Sequence, residues 1–213
     1  MSNSETARKT AEFLLQINAI KLQPANPFQW ASGWKSPIYC DNRKILSYPN
    51  IRKFIRDALT EIVKTNFPNV EVIAGVATGG IAQGALVAQE LDLPFVYVRS
   101  SSKGHGLQNQ VEGVVNEGQK VVVIEDLIST GMSSLNAVQA LRSKGCDVLG
   151  MSAIFTYGFD KAKANFEKEQ CLLYPLCDYH VLIAEAVEGN YISADDVNSL
   201  KAWREQPDQW NQP

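Results

Sequence analysis

VVVIEDLISTGMSS, residues Val121 to Ser134, decides how this chain is read. Val121, Val122, Val123 and Ile124 form a β-branched run too short for a helix and without in/out alternation, as expected of a strand covered on both faces in a parallel sheet. Two acids, Glu125 and Asp126, close it. Ser129, Thr130, Gly131, Ser133 and Ser134 then make a turn of small hydroxyl residues and glycine, after which Leu135, Val138 and Leu141 share one face of a predicted helix. Backbone N–H groups at a helix start lack partners within the helix, and hydroxyls beside them complete a phosphate-sized anion site. Adjacent strand residues point to opposite faces, so at most one of Glu125 and Asp126 looks straight down on a ligand held by the turn. A carboxylate beside a phosphate is repulsive unless it meets hydroxyls or a metal. The combination points to a sugar phosphate. Neither GxxxxGK(S/T) nor a GxGxxG opening a helix after a strand is present.

Working outward, Val70 to Val76 predicts the first core strand, running into Ala77, Thr78, Gly79 and Gly80 and a helix from Ile81 to about Leu91. A glycine pair there lets the backbone approach a ligand at a helix N-terminus, although by itself it serves equally as a tight turn. Phe95 to Val98 is the next strand. Residues 99 to 113, RSSSKGHGLQNQVEG, follow with three glycines, no apolar periodicity, and the cations Arg99, Lys103 and His105. That composition does not pack into a core and is expected to be exposed. Alone it reads as a solvated loop; beside two anion-suited turns it reads as a lid over a polyphosphate. Val111–Val115 and Lys120–Glu125, around Asn116–Gly118, predict a short antiparallel piece. Beyond the signature helix Gly145 closes the helix end, and Val148 to Phe155 is the last clear strand, leading to Thr156, Tyr157 and Gly158.

The N-terminal part divides in three. Ser4 to Leu22 predicts an amphipathic helix through Phe13, Leu14, Ile17 and Ile20, and Pro49 to Asn66 a second through Ile51, Phe54, Ile55, Ala58, Leu59 and Ile62. Between them FQWASGWKSPIYCDNR, Phe28 to Arg43, concentrates Trp30, Trp34, Lys35, Tyr39 and Arg43 around Gly33 and Pro37, and reads as a cover and not a core strand. Residues 160–213 predict helices with exposed tryptophans, a helix start at SADD, 193 to 196, and a partly buried structural His180, with no chemistry assigned.

At 213 residues and 45% hydrophobic content the chain suits one α/β domain with decoration, and no linker or repeat marks a second. A net charge of −3 argues against nucleic acid or a membrane surface as main partner. No signal-peptide h-region or membrane-length apolar run is seen, so a cytoplasmic location is expected. Four cysteines, Cys40, Cys146, Cys171 and Cys177, form no CxxC and read as reduced thiols that mostly pack.

The stretch VVVIEDLISTG resembles the signature of type I phosphoribosyltransferases, and SGWKSPIY at 32 to 39 resembles the N-terminal hood of the orotate phosphoribosyltransferases among them. The resemblance covers most of residues 28–158. It implies an open, mainly parallel α/β sheet with a hood at about 24–45, a core at about 49–158 and C-terminal decoration. It further implies an enzyme of pyrimidine synthesis that transfers the phosphoribosyl group of phosphoribosyl pyrophosphate to orotate, giving orotidine 5-monophosphate and pyrophosphate. Purine or uracil transfer, or ligand sensing without turnover, are the alternatives. In the resembling family the acids hold the ribose hydroxyls, here Glu125 and Asp126. The 5-phosphate falls to Ser129, Thr130, Gly131, Met132 through its backbone, and Ser133, with Leu127 and Ile128 also counted among the residues that bind phosphoribosyl pyrophosphate, and the pyrophosphate falls to Thr78 and Gly79. The lid residues Arg99, Lys103 and His105 reach the pyrophosphate of the neighbouring subunit in a homodimer, with Lys103, His105 and Asp126 catalytic. Magnesium is implied, held mainly by the substrate and not by protein ligands. Orotate falls to Ser129, Lys35, Tyr39 and Tyr157, with Arg43 a further candidate for its carboxylate. Three positions depart from the pattern of some members: Ala31 and Ser100 stand where those carry lysine, and Tyr157 where they carry arginine.

Overall fold

A computed structural model describes residues 4–30, 33–99 and 110–210. A six-stranded sheet, in the order β10-β9-β8-β5-β6-β7, forms its centre. The strands are β5 (Val72–Val76), β6 (Phe95–Val98), β7 (Val111–Glu112), β8 (Lys120–Ile128), β9 (Asp147–Thr156) and β10 (Leu173–Asp178). All neighbours pair parallel except β7, which closes the edge antiparallel to β6. Every residue of β5 and the run Val121–Ile124 of β8 are buried, as their unbroken apolar sequence demands of strands covered on both faces. The chain proceeds outward from β5 to β6 on one side and through β8, β9 and β10 on the other. The crevice between the carboxyl ends of β5 and β8 is thus the point where strand order reverses, the usual ligand position in an open α/β sheet.

Helices cover this sheet: α2 (Pro49–Asn66) lies on β9 and β10, α3 (Gly79–Leu91) on β5 and β8, and α4 (Met132–Arg142) on β8 and β9. Pro49 opens α2, where its missing N–H costs nothing. Gly145, at φ +80°, ends α4: its N–H bonds the Arg142 carbonyl while that of Cys146 bonds Leu141, so the last carbonyls are satisfied.

Several elements depart from the sequence reading. The first helix, α1 (Ser4–Gln16), ends before Leu22; Asn18 takes a left-handed φ of +52°, and Ile20–Leu22 becomes β1, paired antiparallel with β4 (Ile38–Cys40). Helical spacing of Ile17 and Ile20 concealed a strand whose partner lies in the hood. The hood itself contains strands, since β2 (Phe28–Gln29) pairs with β3 (Lys35–Ser36). β8 is not closed by its acids but continues to Ile128, because Leu127 and Ile128 keep pairing with Phe155 and Thr156. β7 pairs with β6 and not with β8: the Arg99 N–H bonds the Gln110 carbonyl, turning the chain back on its own strand.

The C-terminal part is not purely helical. Besides α5 (Asp160–Lys168), α6 (Tyr179–Glu188) and α7 (Asp196–Glu205) it supplies β10, whose Pro175 sits on the sheet's edge strand, where an absent N–H is tolerated. Its tryptophans are buried and not exposed: Trp203 is 0% and Trp210 9% accessible. Trp203 meets Trp30, Tyr157, Phe159 and Tyr179 edge-on or tilted, and its indole N–H donates to the Lys35 carbonyl at 3.2 Å. His180 is exposed and not partly buried; its backbone N–H is capped by the Asp178 carboxylate at the start of α6. The helix expected from SADD starts at Asp196, whose carboxylate accepts from the Ser193 N–H and hydroxyl. The four cysteines are free thiols.

Candidate active site

Two carboxylates, two strand-to-helix turns and the hood meet at the β5–β8 crevice. The turn after β5 lies very close to β8, and glycine makes this possible. A Cβ on Gly80 would stand 2.4 Å from the Ile124 carbonyl oxygen, and one on Gly75 would stand 2.7 Å from that of Gly80. A Cβ on Gly79 would stand 2.2 Å from the Asp126 carboxylate, which therefore rests directly over the first residue of α3. The peptide between Ala77 and Thr78 is cis.

Glu125 and Asp126 separate as strand alternation requires. Asp126 faces α3, whereas Glu125 turns toward α4, where its carboxylate accepts from the Ser134 hydroxyl at 2.8 Å and from the Asp126 N–H at 3.0 Å. Burial, then the adjacent Asp126 charge, pushes Glu125 well above the ordinary carboxylate range. Burial also raises Asp126, against the opposing effect first of its hydrogen bond with Glu125 and then of the Arg43 charge. The pair therefore holds protons more firmly than free carboxylates do, with Asp126 the member turned to the crevice.

The crevice is a cavity of about 450 Å³. Thr78, Gly79, Glu125, Asp126, Leu127, Ser129, Thr130, Gly131 and Ser133 line it, as the sequence placed them, and Cys40, Asp41 and Arg43 add one wall from the hood. A second cavity of about 390 Å³ adjoins it, lined by Gln29, Trp30, Tyr39 and Tyr157, and the two share Cys40, Leu127 and Ser129. One chamber is polar and hydroxyl-rich; the other is walled by flat aromatic rings. Tyr157, 2% exposed and stacked on Phe159, is fixed in place, and burial raises its hydroxyl well above the usual phenol range.

Other expected residues stand elsewhere. Ile128 is wholly buried and its carbonyl accepts from the Tyr157 N–H at 3.1 Å, so it belongs to the sheet and not to the loop. Met132 projects outward, 56% exposed, leaving only its backbone at the helix start. Lys35 is exposed on β3 and lines neither cavity. Arg99 bonds Glu112 at 3.0 Å at the base of the 99–113 segment, while Lys103, His105 and Ser100 lie outside the described residues.

Residues not singled out from the sequence hold the site together. The buried Asn42 donates its amide to the Asp126 carbonyl at 2.6 Å and accepts from the Cys40 thiol, joining hood to signature strand. Asn165, on α5, donates to the Thr130 carbonyl at 2.9 Å, and a Cβ on Gly131 would meet the Phe166 ring at 2.7 Å, so α5 braces the hydroxyl-rich loop from behind. Nothing local in the sequence marks these residues; only the contact across the fold does.

Residues 41–174 match the family model for the phosphoribosyl transferase domain, and with this geometry the chain belongs to the type I phosphoribosyltransferases. A protein of Porphyromonas gingivalis named orotate phosphoribosyltransferase is 60% identical over 200 residues, covering 94% of this chain and 95% of the relative. One of Listeria innocua with the same name is 53% identical over 203 residues, 95% of this chain and 97% of the relative. The solved orotate phosphoribosyltransferase of Aeropyrum pernix superposes with a TM-score of 0.74 at 28% identity, covering 86% of this chain and 99% of its own. Within the family the chain falls among the orotate phosphoribosyltransferases.

Proposed function

We propose that the protein joins orotate to the phosphoribosyl group of phosphoribosyl pyrophosphate, releasing pyrophosphate and forming orotidine 5-monophosphate for pyrimidine synthesis. The observation that carries this reading is the pair of chambers meeting at Ser129. A carboxylate over a glycine turn and a hydroxyl-rich loop suit a sugar phosphate, and the aromatic chamber beside them suits a planar base. The full-length relatives support orotate as that base.

Breaking the C1–O bond of phosphoribosyl pyrophosphate develops positive charge on the ribose and negative charge on the departing pyrophosphate. Asp126, supported by Glu125, holds the ribose hydroxyls and places negative charge beside the electron-poor ring. Ser129, Thr130, Gly131, Ser133 and the Met132 N–H bind the 5-phosphate at the start of α4, while Thr78 and Gly79 present the start of α3 to the pyrophosphate. Tyr39 and Tyr157 enclose the base. Arg99, Lys103 and His105 act on the pyrophosphate from a second subunit, neutralising the charge that develops on the leaving group. The resulting homodimer and a cytoplasmic setting belong to this reading; among the described residues no helix is long and apolar enough to cross a membrane.

The oxygens facing the cavity are hard carboxylate and hydroxyl donors, which suit magnesium. In this reading the ion is held mainly by the substrate's own oxygens, with Asp126 and Glu125 the carboxylates on the cavity wall. When bound it supplies charge neutralisation at the pyrophosphate.

Orotate absorbance followed after adding phosphoribosyl pyrophosphate and magnesium tests this, with adenine, hypoxanthine and uracil assayed in parallel by product detection. Loss that needs both additions is expected. Conversion of another base with orotate untouched would overturn the base assignment and leave the fold-level reading standing.

A further inference from the structure

Arg43 lines the polar chamber and not the aromatic one. That position separates it from the base and sets it among the sugar-phosphate groups. Its side chain is held in an informative way. The guanidinium Nε donates to the Asp41 carboxylate at 2.6 Å, and its two terminal nitrogens make no hydrogen bond among the described residues. A fork fixed at Nε with both ends open is prepared for bidentate contact with an anion, the geometry in which arginine binds phosphate. Asp41 is itself anchored, its N–H bonding the Ala19 carbonyl at 2.7 Å. The Arg43 hydrogen bond keeps its carboxyl below the ordinary range, so the orienting charge persists at neutral pH.

The place of Arg43 indicates which anion it meets. It sits on the 3-10 turn Asn42–Ser47, which packs against α3 and β8. The chamber end formed by α3 carries the Thr78–Gly79 turn. The hydroxyl-rich loop is braced instead by α5, through Asn165 and Phe166. Arg43 and Asp41 form the hood-side wall of the chamber whose opposite elements carry Asp126 and the Thr78–Gly79 turn.

From this placement we infer that Arg43, oriented by Asp41, is a binding residue for the pyrophosphate group of phosphoribosyl pyrophosphate, supplied by the same subunit that holds the ribose. The inference rests on the proposed reaction and deepens it. The hood then serves both substrates: its Tyr39 wall meets the base, and four positions later it delivers a cation to the leaving group. Such a contact strengthens as charge accumulates on the departing oxygens.

Calorimetric titration without orotate tests this, using phosphoribosyl pyrophosphate with magnesium and, separately, orotidine 5-monophosphate, which keeps the 5-phosphate and base but lacks pyrophosphate. Arg43→Ala and Arg43→Gln are expected to weaken the first ligand by roughly tenfold or more, the scale of one lost charge-assisted contact, and to leave the second unchanged. Arg43→Lys, which keeps the charge without the fork, should fall between. The side chain is 60% exposed, so the variants should keep the parent's melting temperature. Unchanged affinity for phosphoribosyl pyrophosphate in Arg43→Ala and Arg43→Gln would overturn the assignment, as would equal losses for both ligands, which would move Arg43 to the 5-phosphate or the base. Failure of the unsubstituted protein to bind phosphoribosyl pyrophosphate would instead sink the proposed reaction, and the two failures are told apart by that control.

Discussion

Gly79 and Gly80 are neighbours in one turn, yet alanine at each should damage different properties. At Gly79 the new methyl would stand 2.2 Å from the Asp126 carboxylate, against 3.4 Å or more for an ordinary contact. The obstructing atoms end a short side chain that can rotate, so the fold accommodates the methyl by driving the carboxylate back by roughly 1 Å, a displacement that can cost about a hundredfold in rate. At Gly80 the methyl would stand 2.4 Å from the Ile124 carbonyl oxygen. That atom belongs to the backbone of a central strand and has no rotamer to escape into. The strain should appear as ~1–3 kcal/mol of lost stability. For a chain of this size each kcal/mol lowers the melting temperature by about 2–4 °C. Steady-state turnover of orotate and differential scanning calorimetry on both variants separate the two effects. Gly79→Ala should be slow and stable; Gly80→Ala should melt early. Wild-type turnover in Gly79→Ala would refute the placement of Asp126 over the turn, and equal thermal losses in both would refute the division between side-chain and backbone obstruction.

Three further outcomes are expected. Glu125 binds its proton more firmly folded than unfolded, so the stability this one group contributes is full below the ordinary carboxylate range and is lost as pH rises through the raised pKa. Melting temperatures of Glu125→Gln should therefore fall less than the parent's as pH rises above the ordinary carboxylate range, and parallel curves would refute the buried proton. Trp203→Ala removes a wholly buried indole and should cost ~3–5 kcal/mol by denaturant titration, with orotate affinity weakened more than phosphoribosyl pyrophosphate affinity because Tyr157 loses its backing. Lys103→Ala should lower turnover by about a hundredfold with folding intact, and mixing that inactive chain with inactive Asp126→Asn should restore partial activity through hybrid dimers; no recovery under subunit exchange would argue against a shared site.

Much of the site was legible because its parts are contiguous in the chain. Val121–Ser134 holds a strand, an acid pair and an anion loop within one βα unit, and Val70–Leu91 holds another, so local patterns sufficed to place Thr78, Gly79, Asp126 and the Ser129–Ser133 loop in one cavity. What local pattern could not supply was partnership across the fold. Ile20 and Leu22 fit a helix face as well as a strand edge, and only β4 decides between them. β10 carries a proline and little alternation, and it is a strand because β9 offers an unsatisfied edge. Trp203 on a polar-looking helix reads as exposed until the hood, far upstream, is seen to cover it. Arg43 is a candidate for the orotate carboxylate in the sequence because Ala31 lacks the lysine of some members; in the fold it lines the polar chamber and not the aromatic one.

The contact between Trp203 and the hood also bears on the order in which the protein can become functional during synthesis. The hood wall, the strands, the turns and the bracing helix α5 of the sugar-phosphate chamber all precede Glu169, whereas the floor of the aromatic chamber is clamped by a helix that begins only at Asp196. A growing chain can therefore shape its phosphate-binding half while still on the ribosome, but the base-binding half must wait for α7 to emerge and seat its indole beneath Trp30 and Tyr157. Nascent polypeptides stalled between those points should acquire one specificity before the other.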